Sequence, residues 1–205
     1  MKKVLFFIFS IIILFSCTES GKRFTIIGSV SGQDYENEWI YLVPLKDATA
    51  ETIDSVKVKD GAFRFKGVVD TPKIHILRTQ PLLRLKIQQL LIVVEQGTLN
   101  VSLDSVSSAH GTSQNDVLQQ WKEEKMKNDS EILLLSKQRM DADTQTKVDS
   151  IEQLYEQIKA RSIEYNYNLV KTSGFNEVGL FIFDITGNSF SPEQKATIEE
   201  LIKKH

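Results

Sequence analysis

The apolar and polar positions of this chain change period once. From Phe24 to about Asp104 they come in short, partly alternating runs, and from about Ser113 they recur at spacings of three and four. Phe24-Thr25-Ile26-Ile27-Gly28-Ser29-Val30 is rich in β-branched residues and ends at Ser31-Gly32, which predicts a strand. Glu38 to Pro44 predicts a second, with Trp39, Tyr41 and Val43 on one face and Ile40 and Leu42 on the other. Being apolar on both faces, it belongs inside a sheet, with Pro44 at its end because proline cannot donate to a ladder. In Ile53 to Gly67, Val56 and Val58 alternate with lysines, Asp60-Gly61 follows, and Phe63 and Phe65 alternate with Arg64 and Lys66. That pattern predicts a β-hairpin with a tight turn, one apolar face, and one basic face made of Lys57, Lys59, Arg64 and Lys66. The basic face reads as solvated, with a phosphate or lipid head-group patch as the alternative. Lys73 to Leu77 predicts a further strand, and Ile87–Val94 with Thr98–Leu103 another hairpin across Glu95-Gln96-Gly97. Gln80 to Lys86, apolar but broken by Pro81, either covers a sheet edge or forms an exposed apolar lip. Short strands with regular turn signals predict an antiparallel β-sandwich or a small open barrel over residues 24–110.

The remainder, 111–205, reads as helical, so the fold class is α+β with a helical hairpin and short C-terminal helices. Ser113 is placed to cap a helix that starts near Asn115. Its stripe opens with Leu118 and Trp121, passes a charged stretch from Lys122 to Asp129 expected to kink or fray, and resumes at Ile132 to Leu135. After a turn at Asp141 to Thr144, a seam of Val148, Ile151, Tyr155, Ile158, Ser162, Tyr165 and Leu169 marks a second helix. Two antiparallel helices packed on each other are the simple reading, and a homo-oligomeric coiled coil is the alternative. Glu177 to Asp184 reads as a short buried helix. Ser191-Pro192-Glu193-Gln194 carries a capping box that opens a last one.

The N-terminus is of a different kind. Lys2 and Lys3 precede an apolar run from Val4 to Ser16, 13 residues long, too short for a comfortable spanning helix of about 20 residues. The run ends at Leu14-Phe15-Ser16-Cys17. This resembles the lipobox of bacterial lipoprotein precursors: an aliphatic residue, a small residue just before the cut, then an obligatory cysteine. The resemblance implies a signal peptide over 1–16, cleavage before Cys17, and lipid attachment at Cys17. An ordinary cleaved signal or a signal anchor, with Cys17 incidental, is the alternative. Residues 17–23 then read as a short tether. With no Asp after the cysteine and only an isolated Glu19, the expected location is the cell envelope, lipid-anchored at the periplasmic face of the outer membrane.

Composition narrows the rest. The chain has 205 residues, 41% apolar and 25% charged, enough for a real core. Its net charge of −2 argues against a generally basic nucleic-acid binder. A single cysteine excludes an intrachain disulfide, a CxxC pair and any Cys-rich metal site.

A second resemblance runs along the first half. Phe24-x-Ile26-x-Gly28, a Tyr-Leu strand, Ile53-Asp54-Ser55, Asp60-Gly61-x-Phe63-x-Phe65-x-Gly67 and Glu95-x-Gly97 follow one another in an order similar to that of the domain of unknown function 4369 family. Gly111-x-Ser113-x-Asn115 and Asn176-x-Val178-Gly179 continue it more loosely. The resemblance implies a lipoprotein of Bacteroides-like bacteria in which this domain usually precedes a thioredoxin-like domain. No CxxC or peroxidatic cysteine stands in this chain, so the resemblance carries over no reductase or peroxidase activity.

Chemistry is sparse. His75, His110 and His205 lack metal-site spacing, and no HExxH, P-loop, dinucleotide or GxSxG motif occurs. Asp54-Ser55 and Asp104-Ser105 sit at strand ends, where Asp and Ser form turns. Tyr155, Tyr165 and Tyr167 read as core and rim, with a sugar-stacking platform as the alternative. No catalytic residue, cofactor or metal ligand is therefore assigned. The expected function is that of a non-enzymatic, membrane-anchored binding or protein-interaction module whose partners are the membrane, through Cys17, and an envelope protein. The alternative is an accessory subunit that docks a separate thioredoxin-like oxidoreductase.

Overall fold

A computed structural model describes residues 21–31, 35–46, 49–79 and 89–204. Strands β1 (Lys22–Val30), β2 (Trp39–Pro44), β3 (Asp54–Lys57), β4 (Ala62–Val69), β5 (Lys73–Thr79), β6 (Gln89–Val94), β7 (Gly97–Leu103) and β8 (Ser108–His110) come first. Helices α1 (Ser113–Met140), α2 (Gln145–Thr172), α3 (Glu177–Thr186) and α4 (Pro192–Lys203) follow. The α+β class stands. Cys17 and the signal segment, the Gln80–Lys86 segment and His205 lie outside the described residues. β1 opens at Lys22, two residues inside the stretch read as tether.

The strands form two four-stranded sheets, in the orders β4-β1-β7-β8 and β3-β2-β5-β6, without closing into a barrel. Their facing sides make one core, in which Ile26, Phe65 and Leu99 of the first sheet meet Ile40, Leu77 and Ile92 of the second. The other face of the second sheet, through Ile74 and Val93, packs on Trp121, Val170, Ile182 and Ile198 of the helices. The second sheet is thus the middle of three layers, and this is why β2, β5 and β6 read as apolar on both faces.

Three expectations about connectivity are corrected. Asp60-Gly61 does form a tight two-residue turn, with φ of 53° and 69° and mutual Lys59–Ala62 backbone bonds at 2.9 and 3.0 Å. Yet β3 pairs with β2 while β4 pairs with β1, so the turn carries the chain across the sandwich from one sheet to the other. The predicted basic face is divided as a result: Lys57 points outward from the second sheet, Arg64 and Lys66 outward from the first, and no single patch forms. Glu95-Gln96 likewise links sheets rather than closing a hairpin, since β6 pairs with β5 and β7 with β1 and β8. Arriving from the other sheet, β7 runs parallel to β1, from Phe24 beside Gly97 to Val30 beside Leu103, so the first sheet is mixed, not wholly antiparallel.

The Phe63 ring lies over Gly28, where an added Cβ would come within 1.9 Å of its Cζ. Phe63 is buried and stacked edge-on to Phe65 at 6.1 Å. Gly28→Ala is expected to lower stability by about 1–3 kcal/mol through overpacking, read as the urea midpoint; an unchanged midpoint would mean the ring moves aside without cost.

In the helical layer, α1 is continuous through Lys122–Asp129, where fraying was expected. Lys125 pairs with Asp129 at 2.6 Å and Lys127 with Glu124 at 3.7 Å, and these pairs, with the straight-chain lysines and glutamates of the stretch, favour the helix. The N-cap is Thr112 rather than Ser113. The capping box at Ser191–Gln194 is present as predicted.

Candidate functional site

Helix α1 is fastened to the sandwich by side chains of its first two turns. Glu95, in the turn between β6 and β7, accepts from the backbone N–H of Gln114 at 2.9 Å and from its Nε2 at 3.1 Å. A carboxylate thus sits at the helix N-terminus, where the dipole favours it. Asn115, buried to 1% exposure, accepts from Val93 N–H at 2.8 Å and donates to Val93 O at 2.7 Å and to Thr112 Oγ1 at 2.8 Å. Its carboxamide pairs with β6 as another strand would. One turn on, Gln119 Oε1 accepts from Ala109 N–H at 3.2 Å. β6 and β8 are each one of the two edge strands of their sheets, so one helix face closes one edge of each sheet, a position exposed to unwanted strand pairing. Beside Asn115 a groove of about 340 Å³ runs between β6 and α1, lined by Leu90, Leu91, Leu118, Gln119 and Lys122.

Lys122 marks where α1 leaves the body. Its Nζ donates to the carbonyls of Val106 and Ser107. Burial pulls its pKa below the usual lysine value, against the attraction of Asp104. Beyond it, α1 from Lys122 to Met140 continues for about 27 Å at 1.5 Å per residue, packed on α2 as a two-helix arm across whose far end Arg139 pairs with Glu152 at 2.7 Å. The arm shows apolar side chains to solvent: Leu133 is 57% exposed, Leu134 56% and Met140 79%.

The arm has a direction. α1 begins beside Glu95 and Gly97, and Gly97 lies next to Phe24 at the start of β1. It leaves the body at Ser107, beyond Leu103, which lies next to Val30 at the end of β1. The arm tip and the first described residues are therefore at opposite poles.

The remaining sequence candidates are placed as follows. Asp104 accepts from Val106 N–H at 2.8 Å, Ser107 N–H at 2.7 Å and Ser102 Oγ at 3.0 Å, bonds that lower its pKa and make it a turn former. Asp54 accepts from Ser55 N–H at 2.7 Å. Tyr167 packs edge-on against Phe190 at 5.8 Å, while Tyr155 and Tyr165 line a cleft between α1 and α2. His110 is exposed, 3.8 Å from Asp116. Among the described residues no cluster of three His, Cys, Asp or Glu could hold a metal, and no helix is long and apolar enough to cross a membrane.

His75 lies on the sandwich side of β5, its ring 3.0 Å from Lys73 O. Burial lowers its pKa from 6.5, outweighing that hydrogen bond. The unfolded chain therefore takes up this proton first, and stability falls as pH drops below 6.5 through the folded-state value. His75→Gln is expected to flatten the melting temperature between about pH 7 and pH 5; an unchanged slope would assign that loss to other groups. Asp104 acts in the same sense at lower pH, below 3.8.

Residues 24–118 match the family model for a domain of unknown function (DUF4369). The DUF4369 segment takes in the whole sandwich from Phe24 onward and ends at Leu118, early in α1. Glu95, Gly97, Gly111 and Asn115 all fall inside it, and the structure gives Glu95 and Asn115 a role the sequence left unassigned: fastening the helix to the sheet edges. A polar pair at i, i+4 beside Leu118, on the face that packs on the sheets, was the signal for Asn115 and Gln119. The arm lies outside the DUF4369 segment. No curated protein and no solved structure matches the chain.

Proposed function

We propose that this protein is a non-enzymatic, lipid-anchored interaction module of the bacterial cell envelope, held through Cys17 at the periplasmic face of the outer membrane and presenting its helical arm to a protein partner. The observation that carries this reading is the polar arrangement. The chain enters the body at Lys22, five residues after Cys17, at the pole opposite the arm tip. An anchor at Cys17 would hold that pole at the membrane and direct the arm, with Leu133, Leu134 and Met140 uncovered, away from it. Exposed apolar groups gathered on a projecting element are what a partner surface offers.

Two experiments test the reading. Cys17→Ala is expected to move the protein from the membrane to the soluble fraction; a fully processed, still membrane-bound Cys17→Ala protein would refute the anchor. A photoreactive residue at position 137 is expected to crosslink one discrete envelope protein in cells. An adduct with a thioredoxin-like oxidoreductase would make the chain its accessory subunit, whereas an absence of any specific adduct would count against the arm as an interaction surface.

A further inference from the structure

We propose that the cleft at the root of the arm, between α1, α2 and the turn after α3, binds a neutral small molecule of the sugar type, rich in hydrogen-bond acceptors. The cleft encloses about 260 Å³, and Trp121, Tyr155, Ile158 and Tyr165 supply its apolar and aromatic walls. Two carboxamides stand in it. Asn166 Oδ1 accepts from Trp121 Nε1–H at 3.0 Å, and Asn128 Oδ1 accepts from Arg161 Nη2 at 2.8 Å. Each of those donors can be met only by the amide oxygen, so both amides are fixed with Nδ2 as the unused end. Asn128 is only 4% exposed. Among the described residues its Nδ2 has no protein partner, and the nitrogen keeps accessible surface. An amide N–H that no protein group uses, opening on a cleft from a side chain otherwise buried, is a donor that a ligand acceptor can take in place of water.

The charge pattern selects the ligand class. Lys125 is paired with Asp129 at 2.6 Å, Lys159 with Glu156 at 3.6 Å, and Glu124 with Lys127 at 3.7 Å. Arg161 is satisfied by Glu131 at 2.6 Å as well as by Asn128. With the charges of the rim already matched, no net field draws an anion or a cation into the cleft. What remains is a set of neutral donors and hydroxyls between aromatic and aliphatic walls. Tyr165 on the cleft wall carries a hydroxyl that is a donor at neutral pH, as any tyrosine's is. Apolar faces edged by hydroxyl and carbonyl oxygens are the surface of a sugar ring, and an N-acetyl group adds a carbonyl acceptor for an amide N–H.

Trp121 hydrogen-bonds one of the two amides and provides the readout. In a Trp39→Phe background it is the remaining tryptophan of the two in the chain. Its emission in the detergent-solubilised full-length protein is to be titrated with N-acetylglucosamine, glucose and glucuronate. A saturable change is expected for the neutral sugars, with glucuronate at least about tenfold weaker. Asn128→Asp and Asn166→Asp keep the oxygens that serve Arg161 and Trp121 and replace the free N–H donors with a charged acceptor oxygen. Each is expected to weaken binding at least about tenfold, and the melting temperature of each variant reads separately what the new charge does to the fold. Tyr165→Phe, which disturbs neither amide, is expected to weaken binding in the same sense. The proposal is overturned if no neutral sugar gives a saturable change, or if all three variants bind as the parent does.

Discussion

Asn115→Ala should cost this protein more stability than any other single truncation of a polar side chain described above. The side chain is buried and makes three hydrogen bonds, two of them to the backbone of Val93. Alanine leaves the Val93 N–H and C=O without their partners beneath the first turn of α1. Each such orphan costs about 1–3 kcal/mol, so a loss of about 3–5 kcal/mol is expected. For a chain of this size that is a fall of about 10 °C in melting temperature. Asn115→Asp should recover little, because a carboxylate can accept from Val93 N–H but repels Val93 O. Urea unfolding reads the total, and hydrogen exchange at Val93 reads the place. A normal midpoint for Asn115→Ala would mean that water or another group closes the β6 edge and that α1 is held by its apolar contacts alone.

Leu133→Asp combined with Leu134→Asp should do the opposite: leave stability within about 0.5 kcal/mol of the parent, as surface substitutions do, and abolish partner capture. Both side chains are more than half exposed, and neither belongs to either core cluster. An apolar anchor at the centre of a protein contact carries about 1–2 kcal/mol or more. Two charges placed there should reduce crosslinking from position 137 at least about tenfold. The unfolding curve and the crosslinking yield, measured on the same preparation, separate the two effects. Full capture by the double variant would place the contact elsewhere on the molecule. A large loss of stability would show these leucines to be packed in the folded protein.

The strands, their edges and most helix limits were legible because they depend on local chemistry. Pro44 closes β2, Asp60-Gly61 takes the positive φ of a tight turn, and Ser191 with Gln194 opens α4. The seam from Val148 to Leu169 likewise announced a helix with one covered face. Partners were another matter. A turn specifies how a chain reverses, not whether the strand that follows joins the sheet it left, and both expected hairpins failed on that point. Alternation says that Phe63 and Phe65 face inward with Arg64 and Lys66 outward, and the structure agrees. Only the crossing of the sandwich decides that Lys57 and Arg64 end on opposite outer faces instead of one basic surface.

The cleft and the clamp follow the same division. The sequence by itself determined the residue types: an α+β chain with two long helices, an Asn and a Gln one turn apart beside Leu118, and tyrosines at helical spacing. It could not say that Asn115 would meet the backbone of Val93, 22 residues away, or that Asn128 and Asn166 would be turned by Arg161 and Trp121 to leave their N–H groups unused. Periodicity sets the direction of each side chain within its own element. What that side chain meets depends on how separate elements pack, and tertiary structure alone decides that.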